Sequence, residues 1–180
     1  MTTTKTNHSE SLINLRADLL VATRKREVAR EAWLANRNVV TKSVEDALYE
    51  EYHSYGRQID RLADEIQFHT IMMQDKKYAT EWLWSDAHAY EVIEEKSDKL
   101  IWVRRMKATI KPEAKKALHD SFVPGGFCGH FDNELQEWEF VSDETQPIEA
   151  IRRHKDGRWY NGSRHFTIEA QPYERYDYNF

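Results

Sequence analysis

Residues 81–105 (EWLWSDAHAYEVIEEKSDKLIWVRR) constrain the fold most, because their side chains alternate with the period of β-strands. Large apolar residues fall near alternate positions of a first run, from Trp82 to Val92, and of a second run, from Leu100 to Arg105. Aromatic and β-branched residues in this pattern favour strands, and the polar KSDK sequence between the runs favours a tight turn. The segment therefore predicts a β-hairpin, with a bulge or kink near Ser85-Asp86 where polar residues interrupt the first run.

The C-terminal part of the chain continues as short alternating segments separated by turn sequences. Asp156-Gly157 is a typical hairpin turn, and residues 111–119 predict a short helix with Pro112 in its first turn. Further strands are predicted at residues 134–141, 148–154, 158–160 and 166–168. The expected fold class is α+β, in which an N-terminal antiparallel helical hairpin precedes a small antiparallel β-sheet or a partly open β-barrel.

The N-terminal part has the spacing of two amphipathic helices. Leu12, Leu15, Leu19, Ala22, Arg26, Ala29 and Trp33 recur at three- and four-residue steps, which places them on one helical face. The second helix has a stricter heptad seam, similar to a coiled coil. Two such helices cannot bury both of their faces alone, so we expect them to pack on the β part or on a second copy of the chain. The candidate dimerisation residues are Leu48, Tyr52, Tyr55, Ile59, Leu62 and Ile66.

These patterns divide the chain into a disordered tail (1–8), a helical hairpin (9–77) whose first helix is capped at Ser9 or Ser11, and an antiparallel β module (78–180) with an inserted Pro/Gly loop. The net charge of −5 argues against a generally basic nucleic-acid binder. The single cysteine, Cys128, fits a reducing compartment. No apolar signal core or membrane-spanning run is present in the sequence. We therefore expect a soluble protein in the cytoplasm of its cell.

Four sequence blocks give the β module a resemblance to known proteins. They are SDAHAYEV at residues 85–92, PGGFCGH at 124–130, DGRW at 156–159 and YDYNF at 176–180. In this order they resemble a group of small proteins encoded by bacteriophages and prophages, whose activity is not established. The resemblance covers residues 82–180 and leaves the helical hairpin outside. It implies a phage accessory protein acting in the cytoplasm of a host cell, and it assigns no functional residues.

Several side chains of the β module have the chemistry of a binding site. His88 and His130 could bind zinc together with Cys128, but no CxxC or HExxH spacing is present, so no metal or other cofactor is predicted. Their alternative role is structural hydrogen bonding between loop and strand. Basic residues cluster at 104–116 and 152–158 among aromatic residues, which could bind phosphates or could be an ordinary solvated surface. The candidate binding residues are Asp86, His88, Phe127, His130, Arg152, Arg153, Arg158 and Trp159.

Three functions are compatible with the sequence. The first is a non-enzymatic binding module that engages a host or phage protein, for example as an inhibitor of a host defence system. The second is a nucleic-acid-binding module that uses the two basic clusters. The third is a metal-dependent enzyme centred on His88, Cys128 and His130.

Overall fold

The computed structural model describes residues 2–37, 41–125 and 129–179. The chain forms two compact units, Met1–Met73 and Gln74–Phe180, which we describe separately. The first unit ends four residues before the predicted boundary at residue 77. Phe127 and Cys128, which belong to the predicted Pro/Gly loop, lie outside the described residues.

The first unit is an antiparallel pair of long helices, α1 (Thr2–Asn36) and α2 (Lys42–Met72). Every residue of the predicted α1 stripe is buried or half-buried, and so is the seam of α2. Arg26 lies over the Tyr52 ring at 4.8 Å and donates a hydrogen bond to its hydroxyl at 3.2 Å. The Trp33 ring stacks on the same tyrosine, so the two seams face each other inside the hairpin.

Helix α1 begins at Thr2, earlier than the predicted start at Ser9 or Ser11. The predicted disordered tail over residues 1–8 is therefore corrected to helix from Thr2 onward. The reason lies at His8, which is 2% exposed. Its ring packs on Phe68 and His69 near the end of α2, so tertiary packing extends a helix whose local sequence has no strong start signal there.

The second unit is a closed antiparallel barrel. Its strands are β1 (Tyr78–Trp82), β2 (Ala87–Ser97), β3 (Leu100–Ile110), β4 (Trp138–Ser142), β5 (Ile148–Arg153), β6 (Trp159–Asn161) and β7 (Arg164–Glu169). Six strands pair in the ring order β2-β1-β7-β6-β5-β3, and β3 pairs back with β2. Strand β4 extends the sheet along the second half of β3. The predicted α+β class is confirmed, and the β part is a closed barrel instead of a partly open one.

The first predicted strand is in fact two strands. Instead of a bulge, the chain reverses after Trp82, where the Leu83 amide donates to the Asp86 carbonyl at 2.9 Å. Trp82 then pairs with Ala87 across the resulting hairpin. The polar residues around Ser85 and Asp86 thus mark a complete turn.

Several other predicted elements occur at or near their expected positions. The β2–β3 turn follows Ser97, and Gly157 adopts a positive φ of 85° in the turn between β5 and β6. Helix α3 (Pro112–Asp120) starts with proline. The predicted strand at 134–141 is shorter, because Asn133–Leu135 form a 3-10 helix. The Asp132 side chain accepts a bond from the Glu134 amide at 3.1 Å and thereby caps that turn.

The barrel interior is apolar at one end and charged at the other. Cross-strand partners share a face, so the pairing of Ile101 with Ile151 defines the inward side, and both residues are fully buried. On the same side, Glu81 pairs with Phe166, which is 1% exposed. Toward the end where β1 turns into β2, the inward positions are polar. These positions are Glu81, His88, Tyr90, Arg105, Glu149, Asn161 and Arg164.

Candidate binding site around the C-terminal segment

The C-terminal segment, residues 170–179, completes the barrel where two strands separate. Strands β2 and β3 pair as far as Tyr90 and Arg105, after which β3 continues alongside β4. The edge of β2 before this point is taken by Arg175, which exchanges two backbone hydrogen bonds of 2.9 Å with Ala87. The C-terminal segment therefore acts as a short additional strand.

Side chains replace the missing ladder bonds at the next residue, Ala89. Its amide donates to Glu174 Oε2 at 2.8 Å, and its carbonyl accepts from Arg105 Nη1 at 2.8 Å. The two side chains also form a bidentate pair with distances of 2.6 and 2.9 Å. His88 Nδ1 lies 3.2 Å from Glu174 Oε1. Burial alone raises the pKa of Glu174, but the hydrogen bonds from His88 and Arg105 outweigh burial and lower it.

A second charged cluster lies at the same end of the barrel interior. Arg164 donates to Glu81 at 2.6 and 2.9 Å, and also to Glu149 and Tyr90. The Tyr90 hydroxyl donates to Glu81 Oε2 at 2.8 Å. Burial and the Glu81 carboxylate raise the pKa of Tyr90. Burial raises the pKa of Glu81, but the bonds from Arg164 and Tyr90 reverse the direction and lower it. At neutral pH Glu81 is therefore ionised and Tyr90 is protonated.

The turn between β1 and β2 is braced by the C-terminal segment. Asp86 Oδ1 accepts a hydrogen bond from the Asp177 amide at 2.8 Å. The same segment is anchored to residues 131–136, because Gln136 exchanges two hydrogen bonds with the Tyr176 backbone. Asn179 makes a similar pair of bonds with the Phe131 backbone. The turn is therefore bound to a C-terminal segment that is itself anchored to residues 131–136.

This braced turn carries exposed aromatic and aliphatic side chains. We call Trp82, Leu83, Trp84 and Tyr173 the aromatic patch, with exposed fractions of 41%, 45%, 98% and 41%. The rings of Trp82 and Tyr173 lie 5.5 Å apart at a 31° tilt. Trp82 Nε1 donates to Thr167 Oγ1 at 2.9 Å, which fixes the orientation of its indole. The patch presents aromatic surface from a rigid support.

Only some of the predicted site residues lie at the C-terminal segment. Asp86 and His88 both contact the C-terminal segment, whereas His130 is exposed on a backbone bridge to Val123. Two of the four sequence blocks therefore meet here, since SDAHAYEV contacts the segment and residues 176–179 of YDYNF lie within it. Phe127 lies outside the described residues, as does Cys128.

The remaining candidates lie on β5 and β6. Arg152 and Arg158 are exposed, and Arg153 donates to the Gly157 carbonyl at 3.2 Å. Trp159 is 3% exposed and pairs with Phe166, so its ring belongs to the core and not to a surface that stacks on bases.

The first basic cluster is largely neutralised by ion pairs. Four of its members bind carboxylates: Arg104 with Glu91, Arg105 with Glu174, Lys111 with Glu137 and Lys116 with Asp120. These pairs reduce the positive potential that a phosphate backbone requires.

Sequence reasoning missed the inward charges Glu81, Glu149, Arg164 and Glu174 as parts of connected clusters. The first three lie at alternate strand positions among apolar residues. In a closed barrel such positions share the inner face, so their side chains come close together. The alternating pattern predicts a strand at Trp84, because the sequence at 83–86 has no glycine or proline to indicate a turn.

Within residues 2–37, 41–125 and 129–179, no group of three or more histidine, cysteine, aspartate or glutamate side chains is arranged to hold a metal ion. Across the described residues, no helix combines the length and apolar character needed to cross a membrane. Comparison of the chain with protein-family models, curated proteins and solved structures finds no match.

Proposed function

We propose that this chain is a non-enzymatic binding module, which engages another protein through the aromatic patch. The observation that carries the proposal is Trp84, whose side chain is 98% exposed on a turn fixed by the C-terminal segment. Tryptophan and tyrosine are enriched among residues that dominate binding energy at interfaces. A rigid support also lowers the conformational entropy lost on binding.

The charged clusters favour binding over acid–base catalysis. A general acid or base is most effective when its pKa lies near the working pH. In the clusters the carboxylate pKa values of Glu81 and Glu174 move down and the pKa of Tyr90 moves up, away from neutrality. The oxygens of both carboxylates also accept hydrogen bonds from neighbouring groups. These groups therefore stabilise the barrel that supports the patch.

A protein fits the patch better than a nucleic acid. The chain carries a net charge of −5, and the first basic cluster is paired with carboxylates. The resemblance to phage-encoded proteins suggests a host or phage protein as the partner, and inhibition of a host defence system remains one version of this proposal.

Affinity capture from bacterial lysate tests the proposal with two matched variants. Trp84→Ala removes the exposed ring of the patch, and Trp102→Ala removes a ring that is 37% exposed on β3. We expect the wild type and Trp102→Ala to retain the same protein, quantified by mass spectrometry, and Trp84→Ala to lose it. Equal recovery by all three proteins, or recovery of nucleic acid sensitive to nuclease, contradicts the proposed site.

A further inference from the structure

The second basic cluster, residues 152–158, is not neutralised as the first one is. It carries four Lys and Arg side chains against one Asp, in a chain whose net charge is −5. Arg152, Lys155 and Arg158 are exposed. In the part of the chain that the structure describes, no carboxylate lies within ion-pair distance of Arg152 or Arg158. The cluster is therefore a local source of positive potential on an acidic protein.

A row of outward side chains joins this cluster to the aromatic patch, entirely within the second unit. It consists of successive cross-strand partners on β1, β7, β6 and β5, which we call the outer row: Trp82, His165, Tyr160 and Arg152. Trp159 and Phe166, which precede and follow two of these residues in the sequence, are buried inside the barrel. Because side chains alternate between the two faces of a sheet, the outer row lies on the outside of the barrel.

The rings of the outer row lie against one another, and the charge of the basic cluster reaches them. The centroid of the Tyr160 ring is 5.4 Å from that of His165 and 4.6 Å from that of His154. Burial lowers the pKa of His165, and the guanidinium of Arg158 lowers it further against an opposing effect of Asp156. Arg158 is thus close enough for its charge to act on the middle of the row.

We infer that the outer row binds an acidic segment of the partner protein, which also places an apolar side chain on the aromatic patch. The inference rests on the proposed function, because the outer row begins at Trp82, a member of the patch. One end of the combined surface is apolar and the other, at Arg152 and Arg158, is positively charged. Complementary charges across an interface favour encounter and select among partners. Carboxylates at this position are attracted, whereas a basic segment is repelled.

The spacing of the strands sets the spacing of the side chains that the partner must present. Strands β1 and β5 are separated by β7 and β6. Neighbouring strands lie about 4.8 Å apart, so the two ends of the outer row are roughly 14 Å apart along the sheet. An extended peptide rises about 3.3 Å per residue and covers this distance in about four residues. In an extended segment, the carboxylates therefore lie about four residues from the apolar side chain that contacts Trp82.

A single-stranded nucleic acid fits the outer row less well than an acidic peptide does. Proteins that bind single strands follow the phosphate backbone with positive side chains along its path and stack bases on exposed rings. Here the positive side chains are confined to β5 and the turn after it, and the rings of Tyr160 and His165 are half-buried. An acidic peptide with an apolar anchor requires positive charge at one end only, which is the arrangement observed.

Selection from a random peptide library on the full-length chain tests the inference. Peptides of about 12 residues are long enough to cover the outer row in extended form. We expect the retained peptides to be enriched in Asp and Glu about four positions from an apolar residue. The double variant Arg152→Glu with Arg158→Glu should weaken the binding of such a peptide at least about tenfold. The matched control, Arg16→Glu with Arg30→Glu, makes the same change of net charge at exposed positions of α1 and should leave binding unchanged.

Three outcomes overturn the inference. The first is a selection that enriches neutral or basic peptides, or none at all. The second is an acidic peptide that binds the two double variants equally. The third is tighter binding of oligothymidylate than of the selected peptide, measured by fluorescence anisotropy at about 150 mM salt, which would assign the outer row to nucleic acid. The proposed function is tested separately, because Trp84→Ala can abolish capture of the partner from lysate whatever the result for Arg152 and Arg158.

Discussion

The carboxylate of Glu174 takes the place of backbone hydrogen bonds at Ala89, where β2 no longer pairs with β3. Its side chain is 8% exposed and binds Arg105, His88 and the Ala89 amide. A buried carboxylate with this many donors offsets its desolvation by several hydrogen bonds at once. Removal of Glu174 leaves the amide of Ala89 without its acceptor and leaves Arg105 with the Ala89 carbonyl but no carboxylate partner.

We therefore expect Glu174→Ala to lower the free energy of unfolding by about 2–3 kcal/mol, since breaking a buried pair leaves an uncompensated charge that is only partly solvated. Urea unfolding measures the change. Asp120→Ala is the control, because the Asp120–Lys116 pair is exposed by 57% and 78% and should matter little. Equal losses in the two variants would show that Glu174 has no special part in closure.

The acid limb of the stability profile depends on the same carboxylates. The pKa values of Glu81 and Glu174 in the folded state lie below the ordinary value of 4.5. As the pH falls below this value, the unfolded chain binds more protons than the folded one, so the stabilisation is present above it and is lost on acidification. Urea midpoints measured from about pH 7 to about pH 3 should fall less steeply for Glu174→Gln than for the wild type. Parallel curves contradict this prediction.

At the scale of elements, the separation of β2 and β3 makes the C-terminal segment part of the barrel. Truncation after Pro172 removes Glu174 and Arg175 and leaves the edge of β2 open at Ala87 and Ala89. We expect the melting temperature to fall by about 10–20 °C, since each kcal/mol shifts a domain of this size by about 4–8 °C.

Truncation after Arg175 is the matched control for the closure bonds. It deletes residues 176–180 but keeps Glu174 and the Ala87–Arg175 bridge. We expect a smaller decrease, because this variant keeps the closure bonds at Ala87 and Ala89 and loses the Asp177–Asp86 bond together with the anchor bonds of Tyr176 and Asn179. Calorimetry measures the melting temperatures of both variants. An equal decrease would show that the last five residues, and not Glu174 and Arg175, supply the stabilisation.

Elements marked by glycine or proline could be predicted from the sequence, whereas contacts between distant residues could not. Gly157 tolerates the positive φ that its turn requires, and the ring of Pro112 fixes φ at a helical value, so the sequence predicts both the hairpin turn and the start of α3. The Leu83–Asp86 turn has neither glycine nor proline, and its Asp86 side chain binds the amide of Asp177, which is distant in the sequence. Likewise, the sequence predicts alternation along β1 and β7, but only barrel closure brings Glu81 to Arg164, 83 residues away.

At the scale of the whole molecule, every strand pairing of the barrel lies within its own unit. The ring closes through pairs between Tyr78 and Glu169, and the C-terminal segment binds β2 and β3 of the same unit. Each of the six strands has a neighbour on both sides, and the C-terminal segment covers the part of β2 that β3 leaves, so the stability of the barrel depends on the presence of each strand.

We therefore expect residues 74–180 to fold without the helical hairpin. Deletion of residues 1–83 is the matched control, because it also removes β1, the strand that joins β2 to β7. The first protein should unfold in one cooperative transition and retain its near-ultraviolet circular dichroism, since tertiary packing fixes its aromatic side chains. The second should lose that signal and aggregate through the exposed edges of β2 and β7. If residues 74–180 behave like the shorter control, the barrel requires the helices, and the two units are not independent in stability.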